Sequence, residues 1–141
     1  MSKKTIWITG GSTGIGKALA IKFANKGWNV AVSARRVELL DELSKNYENI
    51  SSFKLDVTDK SKCEEVFNTI KSKYENIDIC FFSTGTWDPK KEKDIDVEQM
   101  EEVFRVNFFG TVNSIKAVEK YFKDKKSGII TIVSSIAGYR G

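Results

Sequence analysis

The apolar positions of this chain change period several times. Thr5-Ile6-Trp7-Ile8-Thr9 is a short β-rich run closed by glycines. Residues 14–26 then repeat at helical spacing, with Ile15, Ala18, Leu19 and Phe23 on one face. Asn29 to Ser33 reads as a second strand. Residues 36–46 read as a second helix, with Val37, Leu40, Leu43 and Tyr47 in line. Ser52 to Leu55 is a third strand. The next helix carries Cys63, Val66, Phe67, Ile70 and Tyr74, and Thr58 or Asp59 serves as its cap. Ile77 to Phe82 is a continuous apolar strand. Thr84 to Asp96 is polar, holds the single proline, Pro89, and reads as a loop. Residues 97–122 form the longest helix, with Met100, Val103, Phe104, Phe108, Val112, Ile115 and Val118 as core positions. Ile129 to Val133 is the last strand.

Strands and helices that alternate in this way require parallel strands joined by right-handed crossovers. The expected fold is α/β: a doubly wound parallel sheet of five strands in the order 3-2-1-4-5, with helices on both faces. Residues 77–82 and 129–133 are apolar on both faces, as in a sheet covered on both sides. The order reverses between the first and fourth strands, and ligands bind beside such a switch at the carboxyl ends of the strands. No internal repeat, low-complexity tract or linker interrupts the pattern.

Composition narrows the function classes. The 141 residues suit one domain, and 40% hydrophobic with 30% charged residues is a globular balance. The 23 basic and 19 acidic residues leave +4. They alternate without a long basic run, which favours a solvated lysine-rich surface over a nucleic-acid face. Two cysteines, Cys63 and Cys80, stand far apart and histidine is absent, so no zinc site of the usual Cys/His type is expected. No apolar stretch approaches the ~18 residues of a membrane span. No secretory signal precedes the first strand. The expectation is a soluble, reducing, cytoplasmic setting with no metal, nucleic acid or membrane partner.

Thr9-Gly10-Gly11-Ser12-Thr13-Gly14-Ile15-Gly16 falls where the first strand becomes the first helix. Gly10 lets the chain leave the strand in a tight turn. Gly14 removes a side chain where a cofactor must come close, and Gly16 lets the helix pack against the sheet. Unpaired amides at the helix start then face phosphate oxygens, and the helix dipole favours the negative charge. The alternative is a glycine-rich turn with no ligand. The strand and helix on either side supply the context the motif needs. A P-loop is a weaker rival, because Ala18 follows Lys17 where a hydroxyl would hold magnesium. At the end of the second strand, sites for NAD carry an acidic residue for the ribose 2′-hydroxyl. This chain has Ser33-Ala34-Arg35-Arg36. Arginine forks match phosphate oxygens, so NADP is expected over NAD, with Arg35 at the 2′-phosphate and Arg36 as its helper. Two ordinary surface arginines are the alternative.

Five features together resemble the short-chain dehydrogenase/reductase family, classical type. They are Thr9 to Gly16, Asp56-Val57 after the third strand, Ser83-Thr84-Gly85 after the fourth, Val106-Asn107-Phe108-Phe109-Gly110 in the long helix, and Ile132 to Gly138 after the fifth. The resemblance implies a Rossmann-type fold and hydride transfer between a nicotinamide and a carbonyl or alcohol carbon of a small molecule. It implies that Ser12, Thr13 and Ile15 line the diphosphate beside Gly10, Gly14 and Gly16. Asp56 would meet adenine by hydrogen bond and Val57 by its backbone, with a cap or turn role as the alternative for Asp56. Gly85 would lie against the nicotinamide ribose. Asn107 would organise the catalytic water and proton path, as a buried amide that needs partners, with a simple backbone hydrogen bond as the alternative. Ser135 would bind the substrate oxygen, with Ser134 beside it as the alternative.

Two departures stand out. The family has Asn-Asn-Ala-Gly where this chain has Phe82-Ser83-Thr84-Gly85. The family also places a Tyr-x-x-x-Lys pair on a helix after the serine, and this chain ends at Gly141, before that helix. Tyr121 and Lys125 match the spacing but precede Ser135, and the match reads as coincidence. The chain reads as the cofactor-binding portion, residues 1–141, of a reductase cut short. General acid–base catalysis contributes about 10²–10⁴-fold, so the other reading is a dinucleotide-binding module without chemistry. Without a tail, the fifth strand becomes an apolar sheet edge. That edge, or the long helix 97–122, offers a route to a homo-oligomer.

Overall fold

Thr5–Thr9 is buried at every position, and this can happen only to a strand with neighbours on both edges and layers on both faces. In the computed structural model, which describes residues 3–87 and 95–139, this segment is β1. It is followed by α1 (Gly14–Asn25), β2 (Asn29–Ala34), α2 (Val37–Asn46), β3 (Ile50–Lys54), α3 (Lys60–Lys73) and β4 (Ile79–Phe82). Then come α4 (Val97–Val103), a π-helical segment (Phe104–Phe109), α5 (Gly110–Lys125), β5 (Ile129–Ile132) and a 3₁₀ turn (Ile136–Gly138). The strands form one sheet in the order β3-β2-β1-β4-β5, and every pair is parallel. The expected topology is therefore the observed one. Of the expected loop from Thr84 to Asp96, residues 88–94 lie outside the described residues, as do Met1 and Ser2.

Successive side chains of a strand point to opposite faces, and the two cores divide on that alternation. Ile6, Ile8, Val30 and Val32 pack with Ala20, Ala24, Leu40 and Leu43 under α1 and α2. Trp7, Cys80 and Phe82 pack with Cys63, Val66, Phe67, Ile70 and Val118 under α3 and α5. Trp7 stacks on Phe67 at 5.6 Å between ring centres and meets Phe82 edge-on at 5.7 Å. Its indole N–H donates to the Ser33 hydroxyl at 2.9 Å, so the largest core side chain leaves no polar atom unpaired.

Several boundaries and faces differ from the sequence reading. In α1 the buried stripe is Gly16, Ala20 and Ala24, small residues that bring the helix close to the sheet. Leu19 and Phe23 only flank it, and Ile15 and Ala18 are exposed. The third strand begins at Ile50, which pairs with Val30 and is buried, and it ends at Lys54. The fourth begins at Ile79 because the Ile77 backbone is taken by side chains: its N–H donates to the Tyr121 hydroxyl at 2.9 Å and its carbonyl accepts from Lys125 Nζ at 2.6 Å. Asp59 is the cap of α3, accepting from the Lys62 N–H at 2.9 Å.

The long helix is not a straight amphipathic rod. The π-helical segment inserts a wide turn at 104–109 and shifts the apolar face out of register. Val118 is buried and Ile115 packs against the core, but Met100, Phe104, Phe108 and Val112 are exposed. The last strand is likewise not covered on both faces. Among the described residues β5 pairs only with β4, and Ile129, Ile130 and Ile132 are exposed. Cys63 and Cys80 are both buried free thiols. No helix among the described residues is long and apolar enough to cross a membrane.

Candidate functional site: a cleft at the carboxyl ends of the strands

The segment that follows each of the five strands contributes to one cleft of about 420 Å³. The β1–α1 loop supplies Gly10, Ser12, Thr13, Gly14, Ile15 and Gly16. Ala34, Arg35 and Arg36 come after β2, Leu55, Asp56 and Val57 after β3, and Ser83, Thr84 and Gly85 after β4. Val106 and Val133 close the wall. Parallel strands all end on the same side of the sheet, and that is why five short segments scattered over the sequence converge.

The loop after β1 is shaped by contact with the loop after β4. Gly10 has φ +71°, and a Cβ there would sit 2.8 Å from the Ser83 carbonyl carbon. Ser83 holds that approach, since its N–H and hydroxyl both donate to the Thr9 carbonyl, at 3.3 and 2.7 Å. A hydroxyl thus fastens this loop at a position where the family carries an amide. A Cβ at Gly16 would overlap the Gly10 carbonyl oxygen. The close approach made by Gly16 is therefore to the loop itself. Above Gly14 a Cβ would meet nothing within 4 Å. Ile15, expected on the core face as well as at the diphosphate, is 61% exposed.

Helix α1 presents donors to this space. Thr13, its N-terminal cap, makes no side-chain cap bond, and the first turn carries no acidic residue. The Lys17 N–H is the first to bond within the helix, to the Thr13 carbonyl at 3.2 Å. The amides of Gly14, Ile15 and Gly16 precede it and so have no helical partner. Arg35 and Arg36 are exposed on the opposite flank. These donors and cations could hold an anionic dinucleotide, with open space above Gly14 for its backbone.

Asp56 is engaged in a turn, the alternative role that the sequence left open. Its Oδ1 accepts from the Thr58 N–H at 3.0 Å and from the Thr58 hydroxyl at 2.8 Å. Burial raises its pKa, but these two bonds and the nearby Arg35 and Arg105 guanidinium groups outweigh burial, so the carboxyl is held below its ordinary value. Arg105 Nη1 donates to the Thr58 hydroxyl at 3.0 Å, while its Nε and Nη2 both donate to Glu102. Nothing in the sequence signals this link, because Arg105 and Thr58 stand 47 residues apart. The Val57 carbonyl accepts from Asn113 Nδ2 at 3.0 Å.

The two residues expected to be catalytic do not line the cleft. Asn107 is exposed, contrary to the expectation of a buried amide. Its partners are nonetheless specific: Oδ1 accepts from the Thr86 N–H at 2.7 Å, and Nδ2 donates to the Thr86 carbonyl at 3.0 Å. That two-point clasp fastens the loop after β4 to the π-helical segment, close to Gly85. Ser135 is exposed, in the turn that follows β5. Tyr121 and Lys125 bond the Ile77 backbone just before β4, at the opposite end of the sheet from the cleft. Leu55, Thr84, Val106 and Val133 also line the cleft; the last three fall within the sequence features named above but were given no role there, and Leu55 falls in none of them.

A family model described as short chain dehydrogenase matches residues 4–141. An uncharacterized oxidoreductase of Listeria monocytogenes is 32% identical over 144 residues, which cover 99% of this chain and 58% of the relative. The NADPH-dependent 1-acyldihydroxyacetone phosphate reductase of Schizosaccharomyces pombe is 35% identical over 141 residues, 98% of this chain and 46% of the relative. The solved structure of ElxO with NADP bound superimposes with a TM-score of 0.89 at 29% identity, covering 100% of this chain and 58% of that one. The chain spans about half the length of the relatives it matches.

Proposed function

Because the chain belongs to the short-chain dehydrogenase family, we propose that it is an NADP-dependent oxidoreductase whose residues 1–141 form the NAD(P)-binding domain. One observation carries this reading. The cleft sets the unbonded amides of α1 opposite a flank where Ala34 replaces an acid and Arg35 and Arg36 follow. An acidic residue at Ala34 would favour a ribose hydroxyl, whereas a guanidinium favours a phosphate on it. The NADP-bound neighbour and the NADPH-dependent relative point the same way.

When bound, the nicotinamide supplies hydride to, or takes it from, a carbonyl/alcohol carbon of a small substrate. The chain's residues bind and orient. The α1 amides, with Ser12, Thr13 and Ile15, hold the diphosphate between Gly10, Gly14 and Gly16. Arg35 neutralises the 2′-phosphate with Arg36 as helper. Asp56 and Val57 meet the adenine, and Gly85 leaves room beside the second ribose. Asn107 keeps the loop that carries Gly85 in place, and Ser135 donates to the substrate oxygen.

Calorimetric titration with NADPH and NADH tests the cofactor. The expected result is tighter binding of NADPH, with Arg35→Ala weakening it about tenfold and leaving NADH little changed. An unaltered preference in that variant removes Arg35 from the site, and no heat with either dinucleotide removes the reading. A second reading, binding without turnover, is favoured by the tyrosines. None of Tyr47, Tyr74, Tyr121 or Tyr139 lines the cleft, although a phenol is the acid/base that the resemblance implies. Turnover of a panel of carbonyl compounds by the chain separates the two.

A further inference from the structure

We infer that Thr58 and Arg105 are positioning residues that select adenine over an oxo-purine, by fixing which oxygen of Asp56 is offered to the base. The inference rests on the dinucleotide reading above and adds to it residues that lie outside the glycine loop and the arginine pair. A hydroxyl has one proton and two acceptor lone pairs. The Thr58 hydroxyl accepts from Arg105 Nη1 at 3.0 Å, which turns its proton toward Asp56 Oδ1 at 2.8 Å. The Thr58 N–H occupies the same oxygen at 3.0 Å. Oδ1 is thereby saturated, and Oδ2 is left without a donor among the described residues.

Arg105 is itself fixed. Its Nε and Nη2 are held by Glu102, which sets the guanidinium plane with Nη1 toward Thr58. Glu102, Arg105, Thr58 and Asp56 form a chain from the long helix to the cleft. Burial raises the Asp56 pKa, but the two bonds from Thr58, with Arg35 and Arg105 nearby, outweigh it and hold the carboxyl below its ordinary value. An ionised carboxylate only accepts hydrogen bonds. Adenine carries an amino donor at C6, and hypoxanthine carries a carbonyl acceptor there. Two acceptors facing each other lose a bond and leave both groups unpaired, which is how a polar site rejects an analogue.

The test compares NADPH with its hypoxanthine analogue, which differs only at purine C6, in fluorescence titrations of the intact chain. The wild type is expected to prefer NADPH about tenfold. Thr58→Val and Arg105→Met are expected to cut that ratio about fivefold, while Thr58→Ser retains it. General loosening of the cleft would weaken both ligands alike and leave the ratio unchanged. If the wild type binds NADPH and the ratio is the same in Thr58→Val and Arg105→Met, the positioning role is overturned and the cofactor reading stands. If the wild type binds neither dinucleotide, the cofactor reading falls and this inference falls with it.

Discussion

Single atoms decide much at this site. At Gly16 the missing methyl is what allows the helix start to meet the Gly10 carbonyl, so the glycine spacing records a close approach within the loop. Asp56 shows how a residue assigned to a ligand can also serve its own turn. Two hydrogen bonds from Thr58 and two nearby guanidinium groups outweigh burial and lower its pKa from 3.8. The sign of the pH effect follows. A carboxyl whose folded pKa is depressed contributes stability above its unfolded value, and that stability is lost as pH falls through the lower folded value. Urea unfolding of the wild type and Asp56→Asn checks this. The wild type is expected to lead near neutrality, with its advantage shrinking as pH falls through the ordinary carboxylate range toward the lower folded value; an advantage constant down to strong acid would contradict the pairing.

Among elements, the π-helical segment and β5 stand out. The segment Phe104–Phe109 reaches both sides of the cleft through neighbouring residues: Arg105 bonds Thr58, Val106 lines the wall, and Asn107 clasps Thr86. A straight α-helix turns each residue about 100° from the last, and the wide turn alters which way these three point. β5 illustrates the opposite case, an element whose composition exceeds its cover. Ile129 and Ile132 are 56% and 49% exposed on a strand that has one unpaired edge among the described residues. Exposed apolar edges template pairing with other chains. Ile129→Lys is expected to raise the protein concentration at which light scattering appears. No change in that threshold would mean that self-association runs elsewhere, for instance through the exposed Phe104 and Phe108.

For the molecule as a whole, the central sheet insulates two cores, and the thiols report on one of them. Burial pushes the Cys63 thiol up to about 11, and it raises Cys80 further. Thiolate is the reactive form, so a thiol reagent at pH 8 is expected to modify neither cysteine in the folded chain and both in urea. Rapid labelling without denaturant would show that the core under α3 and α5 opens readily. The order of elements, the parallel sheet and the glycine loop were legible in the sequence, because hydrophobic period and glycine spacing are local properties of a chain. So were most of the core faces of α2 and α3: Leu40 and Leu43 of the first and Cys63, Val66, Phe67 and Ile70 of the second are buried as read, while Val37 and Tyr47 are only half-buried. The outward turn of Ile15, the exposure of Asn107 with its clasp on Thr86, and the wide turn in the long helix were not legible. Nor was the chain from Glu102 through Arg105 and Thr58 to Asp56. Each depends on which distant segment the fold brings alongside, and periodicity carries no information about that. The sequence by itself determined that the glycine loop, Arg35 and Arg36, Asp56 and Val57, and Gly85 come together at the carboxyl ends of the strands, but not that Leu55 joins them or that Asn107 and Ser135 stand off the cleft. Only the tertiary structure decided how they are held, since hydrogen bonds between residues far apart in the chain exist only once the sheet has been assembled.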